Sequence, residues 1–169
     1  FSMFYPEQAL EQYPSRKPML GWVINTVAQM EQQIELAVAH GIDYFEFCYY
    51  MPSNGSGLKP NGDIDIAGLE ASSYNRCVYD FLAASNSYKM KMCLMLCNHG
   101  GVLTEKSMFQ MMAYIRETFF DNDRYLYLNG RPYISGFDSN FTNLVKPSHK
   151  VKGCLFLRNG NSAIKGGID

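Results

Sequence analysis

The sequence has no long apolar run and almost no net charge. A membrane-spanning helix needs about 20 consecutive apolar residues, and the apolar runs in these 169 residues are far shorter. With a net charge of -1, the chain has no general electrostatic attraction for nucleic acid. We therefore predict a protein that has no membrane span and does not bind nucleic acid.

Two kinds of ligand motif are also missing. No G-x-G-x-x-G loop joins a strand to a helix, which argues against a bound dinucleotide. Cys93 and Cys97, four residues apart on a predicted strand, would lie ~13 Å from each other, too far to share a metal ion. We predict no cofactor and no metal site. The five cysteines are interpreted as buried free thiols; they do not decide the localisation, for which a periplasmic or secreted compartment is favoured.

Strand-like and helix-like segments alternate along the chain. Apolar residues at helical spacing predict helices, and short runs rich in aromatic and aliphatic residues predict strands. Asn129-Gly130 is a typical two-residue hairpin turn. The predicted helices are 24–41, 71–86, 104–120 and a short one at 142–145; the predicted strands are 1–5, 42–50, 89–98, two runs within 124–137, and 152–160. Residues 51–69, rich in glycine and proline, are predicted to form a loop.

This alternation predicts βαβ units and a parallel sheet. An open doubly wound sheet and a (β/α) barrel both fit, and without a phosphate loop we favour a TIM-type (β/α) barrel. A complete barrel needs about 250 residues. We therefore predict that residues 1–169 form a single domain with only the N-terminal part of a barrel, about five βα units. The chain starts at Phe1 rather than Met, which also suggests a trimmed product.

Glu46 is the unusual residue of the aromatic strand 42–50. A buried carboxylate costs several kcal/mol unless it is paired or hydrated. In a barrel, alternation would direct Phe45, Phe47 and Tyr49 toward the helices and the even-numbered residues 44–50 into a polar interior. Glu46 would then have a charged or hydroxyl partner there. A structural pair with Lys91 or a tyrosine and a catalytic role are both open.

Four segments, taken in order, resemble a known family. They are RKPMLGW (16–22), MEQQIELAVAHGIDYFEFCYY (30–50), YKMKMCLMLCNHG (88–100) and FFDNDRYLYLNGRPYISGF (119–137). Their order and spacing are similar to those of the glycoside hydrolase family 99-like proteins, which include the WbsX-like proteins of polysaccharide loci. The resemblance covers most of residues 1–160. It implies a (β/α)8 barrel acting on glycans, as endo-acting α-mannosidases or mannanases do.

The candidate site residues follow from their side-chain chemistry and from their positions at predicted strand ends, and the resemblance bears on the catalytic pair alone. The family's catalytic carboxylates lie on later strands, so the catalytic pair is expected outside this chain, with Glu46 and Asp138 as the candidates within it. A cap of the following helix is the alternative role for Asp138. The predicted substrate-binding residues are Trp22, Tyr49, Tyr50, Asn98, His99 and Asn159. A core role is the alternative for the three aromatic residues, and a loop-anchoring role is the alternative for Asn98 and His99.

Two functions therefore stay open at this point. One is an endo-acting glycoside hydrolase on an oligosaccharide or polysaccharide, with a mannan-like substrate as a candidate. The other is a non-catalytic, carbohydrate-binding relative. An aldolase-type lyase fits poorly because Lys91 lies at the start of its strand, away from the end where barrel enzymes carry their sites.

Overall fold

The computed structural model describes residues 13–16, 26–52, 57–97 and 103–137, together with the backbone of 155–158. The helices are α1 (Val27–Ala39), α2 (Ile66–Ala71), α3 (Arg76–Ala83) and α4 (Glu105–Ile115), the last continued by a π-helical turn (Arg116–Phe120). The strands are β1 (Tyr44–Tyr50), β2 (Lys91–Cys97), β3 (Tyr127–Leu128), β4 (Arg131–Gly136) and β5 (Leu155–Arg158).

Threonine caps start the two longest helices. The Thr26 side chain accepts a hydrogen bond from the Gln29 amide at 3.3 Å, and Thr104 accepts one from the Ser107 amide at 3.1 Å. Each cap satisfies a backbone donor that the first helical turn cannot pair. After α1, Gly41 adopts a φ of 75°, a left-handed conformation that glycine adopts at little cost. The helix predicted over 104–120 is confirmed, and the helix predicted over 24–41 is confirmed as Val27–Ala39.

The sheet is mixed, with the order β1-β2-β4 and β5 next to β4. β1, β2, β4 and β5 run parallel, whereas β3 pairs with β4 in an antiparallel hairpin. The hairpin turns at Asn129 and Gly130, with φ values of 53° and 73°, as a two-residue turn of the primed type requires. The hairpin predicted at Asn129-Gly130 is confirmed, and the predicted parallel pairing is present between β1, β2, β4 and β5.

The predicted TIM-type barrel is wrong. The strands form a small mixed sheet, and in the part of the chain that the structure describes, β1 has β2 as its one neighbouring strand. Alternation of strands and helices specifies βαβ units, but the same alternation occurs in open sheets and in barrels. Closure depends on strand tilt and stagger between distant segments, which no local pattern encodes.

The helices cover one face of the sheet. Phe45 and Phe47 of β1 pack against Phe81 of α3, with ring centroids 6.3 and 5.4 Å apart. On the other face, Tyr44 is 46% exposed and Glu46 is exposed as well. β1 is thus exposed to solvent at Tyr44 and Glu46 instead of facing a barrel interior, which explains how Glu46 is tolerated.

Other boundaries differ from the prediction. The segment 51–69, predicted as a loop, includes most of α2, and the helix predicted over 71–86 is shortened to α3. The predicted strand 1–5 and helix 142–145 lie outside the described residues. Among the described helices, none combines the length and the apolar character needed to cross a membrane.

Candidate functional site

One face of the sheet, here called the open face, carries the side chains of β1, β2 and β4 that point away from the helices. Residues paired across parallel strands share a face, and residues two apart along a strand do so too. The register Glu46↔Cys93, Tyr50↔Cys97 and Met95↔Ser135 therefore places these side chains together. The residues of the open face used below are Tyr44, Glu46, Cys48, Tyr50, Cys93, Cys97, Tyr133 and Ser135. Tyr44 and Glu46 are exposed, Cys48, Tyr50 and Tyr133 are partly buried, and Cys93, Cys97 and Ser135 are buried.

The centre of the open face is a hydrogen bond between Glu46 and Ser135. The Ser135 hydroxyl donates to Glu46 Oε1 at 2.6 Å, a short, charge-assisted bond. It links β1 to β4 across β2, where Cys93 is completely buried. The expected hydroxyl partner of Glu46 is thus present. Lys91, the alternative, donates to the carbonyl of Asp123 instead.

The groups around this bond are held in their neutral forms. Burial, together with the negative charge of Glu46, raises the pKa of Cys93 to about 12 and the pKa of Tyr133 to about 12. Burial and the adjacent thiol of Cys48 raise the pKa of Cys97 to about 12. At neutral pH these thiols are therefore poor nucleophiles, and the phenol of Tyr133 keeps its proton.

Tyr50 lies at the C-terminal end of the open face. Its ring packs on that of Tyr74, from the turn before α3, with centroids 5.1 Å apart and planes tilted by 44°. Tyr74 is 53% exposed. Along β1, Tyr50 and Glu46 are separated by ~13 Å. The open face thus presents the oriented carboxylate of Glu46 and, ~13 Å away, the aromatic rings of Tyr50 and Tyr74.

Tyr49 points to the opposite face and belongs to the core. It is fully buried, and its hydroxyl bonds to that of Tyr79 at 2.9 Å. Tyr79 bonds in turn to Tyr114 at 2.8 Å, and Tyr114 donates to the carboxylate of Glu70 at 2.8 Å. Burial raises the pKa of each of the three tyrosines well above the ordinary value. We call these four residues the phenol chain.

The structure places two of the predicted site residues, Glu46 and Tyr50, on the same face ~13 Å apart, and Tyr49 on the opposite face. The other predicted site residues, namely Trp22, Asn98, His99, Asp138 and Asn159, lie outside the described residues. Sequence reasoning missed Ser135 and Tyr74. The alternation along β4 could have indicated Ser135, because it directs Ser135 to the same face as Tyr133. Nothing in the local sequence indicates that the ring of Tyr74 packs on that of Tyr50.

Within the described residues, no group of three or more histidine, cysteine, aspartate or glutamate side chains is arranged to hold a metal ion. The arrangement can instead accept hydrogen bonds through a carboxylate and offer aromatic rings for stacking.

No family model matches the chain, and neither the curated proteins nor the solved structures contain a significant match.

Proposed function

We propose that this chain is a glycan-processing protein that binds an oligosaccharide or polysaccharide on the open face. The observation that carries the proposal is the exposed carboxylate of Glu46, oriented by Ser135 and flanked on the same face by Tyr44 and Tyr50. A sugar presents hydroxyl donors at its edges and apolar C–H groups on its faces. Carboxylates accept from such hydroxyls, and tyrosine rings cover such faces.

The neutral side chains next to Glu46 support a polar, uncharged ligand. Because Cys93 and Tyr133 stay neutral at physiological pH, Glu46 supplies the negative charge of this cluster. A neutral glycan brings no charge to be desolvated, and its hydroxyls gain a charged acceptor, which makes stronger hydrogen bonds than a neutral one. The resemblance of residues 16–22, 30–50, 88–100 and 119–137 to glycoside hydrolase family 99-like proteins leads to the same ligand class.

Endo-acting hydrolysis is the second candidate function. Glycosidases generally use two carboxylates on opposite sides of the scissile bond. The described strands β1, β2 and β4 carry one carboxylate, which is that of Glu46. Asp138 follows β4 within two residues of its end, so it is the residue of this chain that we propose as the partner carboxylate. With one carboxylate, the open face supports binding; with both, it would support hydrolysis.

The test is calorimetric titration of the protein with mannotetraose, with cellotetraose and maltotetraose as alternative ligands. We expect Glu46→Gln to weaken the preferred tetrasaccharide roughly tenfold, the loss of one charge-assisted hydrogen bond. Glu117→Gln, which changes an exposed carboxylate on the π-helical turn, is the matched control and should bind like the wild type. Wild-type protein that binds none of the three sugars, or an unchanged affinity in Glu46→Gln, would overturn the proposal.

Hydrolysis is measured separately by the release of reducing ends from the bound tetrasaccharide. If the open face is catalytic, both Glu46→Gln and Asp138→Asn should abolish turnover, while Asp138→Asn should retain binding. Binding without any turnover in the wild type would establish the non-catalytic function.

A further inference from the structure

The C-terminal end of β1 is held in place by a buried asparagine. Asn75 is 1% exposed, and its Oδ1 accepts from the Tyr50 amide at 2.8 Å. Its Nδ2 donates to the Tyr50 carbonyl at 3.1 Å and to the Leu69 carbonyl at 3.4 Å. A side-chain amide offers one acceptor and one donor side by side, as a peptide group does. Asn75 therefore pairs with Tyr50 as a neighbouring strand would.

The same asparagine fixes the position of Tyr74, the residue before it. The Tyr74 amide donates to Ser72 Oγ at 3.3 Å, and the Asn75 amide donates to the Ser72 carbonyl at 3.1 Å. The turn is thereby tied at both ends, and the ring of Tyr74 rests on that of Tyr50 although it is 53% exposed. Such an exposed ring is expensive to immobilise on binding unless the protein has already ordered it.

We propose that Tyr50 and Tyr74, here called the tyrosine pair, form a stacking subsite for a pyranose ring, and that Asn75 is its positioning residue. The inference rests on the proposed function and specifies its substrate. The ordered rings offer apolar area with little further entropy to lose, which is the feature that makes tyrosine effective in binding surfaces.

The distance between the two parts of the site determines the length of the ligand. Glu46 and Tyr50 share a face and are four residues apart, ~13 Å along the strand. One sugar unit cannot contact the carboxylate and the tyrosine pair together. The open face should therefore select an oligosaccharide of at least three units over a disaccharide, with one end at Glu46 and the other on the tyrosine pair.

The experiment compares mannotetraose with mannobiose, by calorimetry, across four proteins. Wild type should bind mannotetraose more tightly than mannobiose. Tyr74→Ala should lose about tenfold in affinity for mannotetraose and little for mannobiose, since an aromatic contact is worth on the order of one such factor. Tyr74→Phe keeps the ring and should behave as wild type. Tyr88→Ala, which removes a tyrosine that is 71% exposed, is the control and should change neither affinity.

Asn75→Asp tests the positioning role, because it keeps the acceptor for the Tyr50 amide and removes the donor to the Tyr50 carbonyl. It should reduce the affinity for mannotetraose and leave that for mannobiose unchanged, whereas damage to the whole fold would reduce both. The inference is overturned if Tyr74→Ala binds mannotetraose as wild type does, or if it loses affinity for both sugars equally. In either case Glu46→Gln still decides the proposed function by itself, and a wild type that binds no sugar overturns both.

Discussion

At the scale of single residues, the open face places an exposed carboxylate beside groups that resist ionisation. Glu46 is exposed and accepts a hydrogen bond from Ser135. Cys93, its partner in the sheet register, is completely buried. Desolvation opposes a thiolate there, and the charge of Glu46 opposes it further, which together raise the pKa of Cys93 to about 12.

The raised pKa of Cys93 predicts how the free energy of unfolding depends on pH. An unfolded cysteine ionises near pH 8.5, so between about pH 8.5 and 12 the unfolded state releases a proton that folded Cys93 retains. The stability due to the raised pKa is complete below about pH 8.5 and is lost as the pH rises toward 12. One such group contributes at most ~1.4 kcal/mol per pH unit to the slope of the unfolding free energy.

We therefore expect Cys93→Ala to have a flatter decline of the unfolding free energy between pH 8.5 and 10 than the wild type. The measurement is urea unfolding of both proteins at the same pH values in this window, so that the tyrosines, which begin to ionise near its upper end, contribute equally to both slopes. Glu46→Gln should flatten the decline partly, because it removes the neighbouring charge. A Cys93→Ala protein with the wild-type slope would show that Cys93 ionises normally in the folded state.

At the scale of secondary-structure elements, the phenol chain joins β1, α3, α4 and α2 across the core. A phenol has one proton to donate. Since Tyr114 donates to Glu70, it must accept from Tyr79, and Tyr79 must accept from Tyr49. The exposed carboxylate of Glu70 thus fixes the direction of every hydrogen bond in the phenol chain. Phe119 of the π-helical turn packs between the three rings at centroid distances of 5.5 to 6.2 Å.

Tyr79→Phe should destabilise the protein by about 1–3 kcal/mol, because the fully buried hydroxyl of Tyr49 would lose its acceptor while the packing of the ring stays the same. The measurement is the midpoint of urea unfolding at neutral pH. Tyr88→Phe, at a position 71% exposed, removes the same atom where water replaces it and should change the midpoint little. Equal effects of Tyr79→Phe and Tyr88→Phe on the midpoint would contradict a structural role for the phenol chain.

At the scale of the whole molecule, the hydroxyl of Tyr125 bridges β2 and β4 at the centre of the sheet. The first half of β2 pairs with residues 124–126, since the Met92 amide donates to the Arg124 carbonyl at 2.9 Å and Leu126 donates to Met92 at 2.7 Å. The second half pairs with β4. Where the partner changes, the Tyr125 hydroxyl accepts from the Leu94 amide at 3.3 Å and donates to the Tyr133 carbonyl at 2.8 Å.

Tyr125→Phe should therefore cost about 2–4 kcal/mol of unfolding free energy, since a buried amide and a carbonyl both lose their partner. The urea dependence of that free energy should stay unchanged, because the same surface is exposed on unfolding. Tyr127→Phe is the control from the same segment. Its hydroxyl donates to the Phe120 carbonyl at 2.9 Å, but the residue is 45% exposed, so we expect a loss below about 1 kcal/mol. If Tyr125→Phe is no more harmful than Tyr127→Phe, the sheet does not depend on this bridge.

Much of the local structure followed from the sequence alone. Periodicity predicted α1 and α4, Asn129-Gly130 predicted the hairpin, and alternation predicted that Phe45, Phe47 and Tyr49 face the helices. These features depend on backbone dihedrals, on caps and on side chains a few residues apart, all of which a short window of sequence contains.

The open face was decided only by the tertiary structure. Ser135 lies 89 residues from Glu46, and Tyr74 reaches Tyr50 because a buried asparagine ties a turn to the end of a strand. The same helices and strands could have enclosed Glu46 in a barrel, as the sequence led us to expect. Whether the second face of a sheet is covered depends on how distant strands tilt and stagger against one another, and that geometry is set by packing over the whole molecule rather than by any local pattern.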